Sequence, residues 1–115
     1  MYSQAFIRQI AGKSNSVPIS APTVATNQIY GCLNYAVGIC MDDSNQIYVA
    51  DTNNHRIVVF NHVTGVHIRN ISSHGTMLGY LNSPYGVCVD NFTGILYVAD
   101  YDNHRVQLFD KETGY

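Results

Sequence analysis

The chain has 115 residues and a mass of 12.8 kDa, room for one small domain and no more. Six Lys+Arg against eight Asp+Glu leave a net charge of −2, far from the basic balance of a nucleic-acid groove. Only 12% of residues are charged and 46% are hydrophobic. No apolar run reaches the roughly 18 residues of a membrane-spanning helix, and residues 1–20 lack the basic start and apolar core of a signal peptide. Three cysteines, Cys32, Cys40 and Cys88, form no C-x-x-C pair and are too few for a disulfide framework.

In chain order, the first candidate strand is F-I-R-Q-I-A-G at 6–12. Residues 13–36 follow as a long insertion carrying two of the three prolines, and long connections of this kind are usually functional or poorly ordered. A first full unit spans 37–73. Its predicted strands, 37–41, 46–50, 56–60 and 66–71, are rich in Val, Ile and Tyr and are bounded by Asp, Asn and Gly. The turns D-D-S-N, T-N-N and N-H-V-T-G suit hairpin or left-handed geometry. A short connection, 74–83, leads to a second unit at 84–115 with three further strands. The strands are almost continuously apolar, which predicts sheets covered on both faces.

The two units are copies. G-I-C-M-D-D-S-N-Q-I-Y-V-A-D-T-N-N-H-R-I-V-V-F (38–60) recurs as G-V-C-V-D-N-F-T-G-I-L-Y-V-A-D-Y-D-N-H-R-V-Q-L-F (86–109). The pairs Gly38/Gly86, Cys40/Cys88, Asp42/Asp90, Tyr48/Tyr97, Asp51/Asp100, Asn54/Asn103, His55/His104 and Arg56/Arg105 are identical, with one added residue near Gly94. Four strands in a period just under 50 residues is the size of a propeller blade.

The segments Y-V-A-D-T-N-N-H-R-I and Y-V-A-D-Y-D-N-H-R-V resemble the signature of NHL repeats, and the likeness covers residues 33–114. It implies an all-β fold: β-propeller blades of four antiparallel strands, in this family usually six to a ring. It does not imply one activity, because NHL propellers serve as RNA readers, protein-binding platforms, sensor domains and, rarely, amidating lyases.

The second unit ends after three strands, and 6–12 matches the fourth strand of the first, with Ile7/Ile68, Arg8/Arg69 and Ile10/Ile71 in equivalent places. The expectation is therefore two blades' worth of strands, with 6–12 completing the blade made by 84–109. Two blades cannot close a ring. An uncovered face of roughly 400 Å² costs about 10 kcal/mol at 25 cal/mol per Å². The faces must be covered by copies of the chain, as a closed ring or a filament, or by the rest of a longer propeller.

Asp51, Asn54, His55 and Arg56, with Asp100, Asn103, His104 and Arg105, have the residue types of a metal site or an acid–base set. Their recurrence in both units favours a structural motif instead: Asp faces Arg across a hairpin, Asn takes the left-handed position, and His bonds to nearby backbone. Cys40 and Cys88, on the innermost strand of each unit, are expected to be small buried free thiols. No residue is assigned as catalytic, and no metal or cofactor is implied. Asn70 and Asn91 head N-x-[ST] sequons and are candidate N-glycosylation sites, and the low charge leans toward an extracellular location. The loops before the first strand and after the second should share one rim, where Tyr35, Tyr85, Tyr101 and Asp102 make a candidate binding surface.

The leading function is a non-catalytic scaffold for protein–protein interaction or self-assembly. The alternatives are an RNA-binding propeller, which needs a basic rim, and a propeller lyase or lactonase with a metal in its channel.

Overall fold

The computed structural model describes residues 32–115, so the strand expected at 6–12 and nearly all of the 13–36 insertion lie outside the described residues. Seven strands follow in chain order: β1 (Ala36–Met41), β2 (Gln46–Asp51), β3 (Arg56–Asn61), β4 (His67–Ile71), β5 (Pro84–Asp90), β6 (Ile95–Asp100) and β7 (Arg105–Asp110). They form two antiparallel meanders, β1-β2-β3-β4 and β5-β6-β7. A single 3-10 turn links the second and third strands of each sheet, Thr52–Asn54 in one and Tyr101–Asn103 in the other.

Register explains how apolar strands sort their side chains. Tyr48 pairs with Val59 and Ala50 with Ile57, while Val49 pairs with Val58 and Ile47 with Phe60. Alternate pairs point to opposite faces. The first set turns toward the second sheet and packs with Leu81, Leu96, Val98 and Phe109 into the main core, joined by Cys40, Val87 and Val89. The second set forms a separate cluster with Leu33 on the opposite face of the first sheet.

The innermost strands fix how closely the blades approach. A Cβ on Gly38 would lie 2.2 Å from the Tyr85 carbonyl oxygen and 3.0 Å from Gly86 Cα. Only glycine lets the two backbones meet there.

Among the described residues, coverage is realised at one interface, between the two sheets. Ile39 and Met41 on one outer side, and Val106 and Leu108 on the other, are exposed. The cysteine expectation needs correction for the same reason. Cys40 is half-buried against the second sheet, whereas Cys88 is exposed, because its face of β5 has no sheet against it among the described residues.

Candidate functional site

The repeated Asp-Asn-His-Arg set is a hydrogen-bond hub. Asp51 and Arg56 are cross-strand partners at the end of the β2–β3 hairpin. Arg56 Nε donates to Asp51 Oδ2 at 2.7 Å, and Asn54 Nδ2 donates to the same oxygen at 2.9 Å. Asp51 Oδ1 accepts the backbone N–H of Asn34 at 2.7 Å. One fully buried carboxylate thus ties the hairpin to the connection that enters the blade.

Asp100 repeats the arrangement with Arg105, Asn103 and the Asn82 N–H, and adds Gln107 at 3.0 Å. Arg105 Nη2 also donates to the carbonyls of Met77 and Tyr80. Burial alone would raise the Asp100 carboxyl; the donors outweigh it and hold the pKa below the ordinary carboxylate range.

The left-handed position expected for asparagine belongs to histidine. His55 has φ 54° and His104 φ 55°, closing the 3-10 turns. The asparagines stay inside the turn because that is where their side-chain amides reach the aspartate. His55 does bond to backbone, across the blade boundary: Ser83 N–H donates to Nδ1 at 2.9 Å. A backbone N–H can only donate, so Nδ1 is an acceptor and this imidazole is neutral with its proton on Nε2. Its ring stacks on His74 with centroids 4.0 Å apart. Burial, then the neighbouring His74, push its pKa down, against an upward pull from Asp102. Beside it, Thr52 Oγ1 donates to the Pro84 carbonyl at 2.6 Å. His104 makes no equivalent side-chain bond among the described residues.

A second network crosses between the blades. Asp42 Oδ2 accepts from Lys111 Nζ and from Tyr48 Oη, each at 2.9 Å, and Oδ1 accepts the N–H groups of Ser44 and Gln46. Burial would raise the Asp42 carboxyl, but Lys111 and the other donors hold it below its usual range. The Lys111 ammonium is pushed up in turn, chiefly by its bond to Asp42. Arg69 spans the same gap, donating to Gln46 Oε1 and to the Lys111 carbonyl. Sequence reasoning missed this network. Asp42 and Tyr48 do recur as Asp90 and Tyr97, but Lys111 answers to His62, so the cation carries no repeat signal.

On one rim, the loops before the first strand and after the second of each sheet meet: Asn53 N–H donates to the Asn34 carbonyl and Asp102 N–H to the Asn82 carbonyl, each at 3.0 Å. Tyr85 stacks on Tyr101, with ring centroids 4.5 Å apart and planes 21° from parallel. Partial desolvation, the neighbouring Tyr35, Tyr101 and Asp102, and a hydrogen bond with Tyr35 push the Tyr85 hydroxyl above its ordinary range. Of the two sequon asparagines, Asn70 is exposed on β4 and Asn91 in the β5–β6 turn. Among the described residues no three His, Cys, Asp or Glu side chains gather as a metal set, and no helix is long and apolar enough to cross a membrane.

Two stacked antiparallel sheets, joined at glycine-lined inner strands and each organised by the same hub, define blades of the β-propeller type. Family comparison gives the particular kind: the NHL repeat matches residues 33–60 and 81–109. The chain is an NHL-repeat protein. No curated protein matches the sequence significantly. At the level of the family, such repeats build propeller-type scaffolds for protein interaction.

Proposed function

We propose that the chain is a non-catalytic interaction scaffold whose two outer sheet faces each dock a further blade, supplied by another copy of the chain or by more repeats of a longer propeller. One observation carries this reading. Residues that work at the blade–blade interface in the first repeat recur in the second with no described residue against them. Gly38 is forced by the β5 backbone, yet among the described residues a Cβ on Gly86 would meet only the Ala99 Cβ, at 3.7 Å. Cys40 packs against the core while Cys88 is exposed.

The outer edge of β7, unpaired among the described residues, supports the same reading. An open groove of about 890 Å³ there is lined by Ser72, Leu78, Val106, Leu108 and Tyr115, among others, where a fourth strand such as 6–12 would fit and hide an aggregation-prone edge. A catalytic role draws no support from the repeated polar set, because Asp51 and Asp100 spend their oxygens on structural donors. RNA binding is disfavoured for a related reason: Arg56 and Arg105 on this rim are paired with those carboxylates.

The test is solution mass by light scattering. The expected result is an assembly that is a multiple of 12.8 kDa and that Gly86→Leu dissociates, since Gly86 faces away from the interface within the chain. A stable folded monomer overturns self-docking. An assembly indifferent to Gly86→Leu overturns the face assignment.

A further inference from the structure

The rim tyrosines are not required by the repeat. Where Tyr35, Tyr85, Tyr101 and Asp102 stand, the other repeat places Ser83, Val37, Thr52 and Asn53 and builds the same bend, strand and 3-10 turn from them. Tyr35 and Ser83 even share a left-handed backbone, φ 60° and 54°. Three aromatic rings and a carboxylate therefore gather where the fold accepts small neutral residues.

Their geometry and charge narrow what they would hold. Tyr35 and Tyr101 are 61% and 58% exposed, a large apolar area to leave in water, and the stack on Tyr85 fixes the Tyr101 ring before any partner arrives. Preorganised aromatic surface binds at little entropic cost. Asp102 adjoins this platform, is exposed, and forms no side-chain hydrogen bond or ion pair among the described residues. The described arginines of this rim, Arg56 and Arg105, are spent on Asp51 and Asp100, and His55 is neutral. Among the described residues the surface is thus aromatic with one unopposed negative charge, complementary to a planar cation that can lie on a ring face and pair with a carboxylate. Guanidinium fits both demands, and an ammonium meets only the second well. Phosphate-bearing ligands would meet Asp102 with no free cation beside it among the described residues.

We propose that Tyr35, Tyr85, Tyr101 and Asp102 form a docking platform for an arginine side chain of a partner protein. The proposal rests on the interaction-scaffold reading and gives the chemistry of the partner at its rim.

The test follows tyrosine ring resonances by NMR while the protein is titrated with the acetylated, amidated peptide Gly-Arg-Gly-Arg-Gly, and with versions carrying lysine or citrulline in place of arginine. Saturable shifts of Tyr85 and Tyr101 are expected with arginine, weaker binding by about threefold or more with lysine, and less still with citrulline. Tyr101→Thr and Asp102→Asn install the residues of the other repeat, so the fold tolerates them, and each should weaken the arginine peptide about threefold or more. No binding, equal binding of the citrulline peptide, or indifference to both substitutions overturns the proposal. So does tighter binding of oligouridylate or of a maltooligosaccharide at the same rings. Failure here with an unchanged solution mass sinks the platform alone, whereas a monomeric protein that binds the peptide sinks blade docking alone.

Discussion

Lys111→Met tests how the blades are held together. The substitution keeps an unbranched stem of similar length and removes the ammonium that lies 2.9 Å from Asp42 Oδ2. Losing one partner of a buried pair costs about 3–5 kcal/mol when the remaining charge is stranded. Asp42 is not stranded, because the Ser44 and Gln46 N–H groups and the Tyr48 hydroxyl still donate to it. The expected loss at neutral pH is therefore nearer about 2 kcal/mol. The pH dependence identifies the cause. The Asp42 pKa is lowered in the folded protein, so its contribution is present above the ordinary carboxylate value and fades as pH falls through the folded one. The Lys111 pKa is raised, so its contribution is complete below its ordinary value and is lost as pH rises through the folded one. Urea titrations of both proteins, at one protein concentration and across pH, should show a gap in stability that is flat from weakly acidic to weakly alkaline conditions and closes toward either extreme. A gap below about 0.5 kcal/mol at neutral pH, as for an ordinary surface pair, or one that persists unchanged in strong acid, would refute the reasoning.

Three more expectations follow from the same structure. Gly38→Ala should lower stability by about 3 kcal/mol in urea denaturation, the upper end for overpacking, because the obstructing atom is backbone; a loss under about 1 kcal/mol would show that the inner strands separate easily. Because the His55 pKa is depressed in the fold, stability should be full above the usual histidine range and decline as pH falls through about 6.5. His55→Asn should flatten that part of the urea-midpoint profile, and an unchanged slope would contradict the Ser83–His55 link. In the dissociated Gly86→Leu protein a water-soluble thiol reagent should label Cys88 well before Cys40, whose thiol burial and then Cys88 and Asp42 push up to about 11; mass spectrometry that found Cys40 labelled first would contradict the assigned faces.

The sequence was most legible where a residue serves its own repeat. Strand positions, the Asp51–Arg56 and Asp100–Arg105 pairs and the blade-like period all come from local pattern and duplication. The left-handed residue was misassigned because asparagine is the better left-handed former in isolation, and only the aspartate across the turn claims its side chain. Interactions between repeats were harder to see. Lys111–Asp42 spans 69 positions without a counterpart in the other copy. Sequence identity between Cys40 and Cys88 predicts equal burial only where each has a neighbouring blade, and among the described residues Cys88 has none.

Among the described residues, the donors that satisfy Asp51 fall between Asn34 and Arg56, and those of Asp100 between Asn82 and Gln107. Both sets lie inside the segments matched as repeats. Each copied stretch of chain therefore brings the donors of its buried aspartate with it, and its insertion elsewhere leaves that carboxylate satisfied. The bonds that cross from one blade to the next among the described residues come from Thr52, Ser83, Lys111, Arg69 and Asp43, and the positions equivalent to Thr52, Ser83 and Lys111 in the other copy hold Tyr101, Tyr35 and His62. A lineage built this way can lengthen by duplication first and tune each new seam afterwards, so divergence should collect at the seams and at the rim while the hub stays constant.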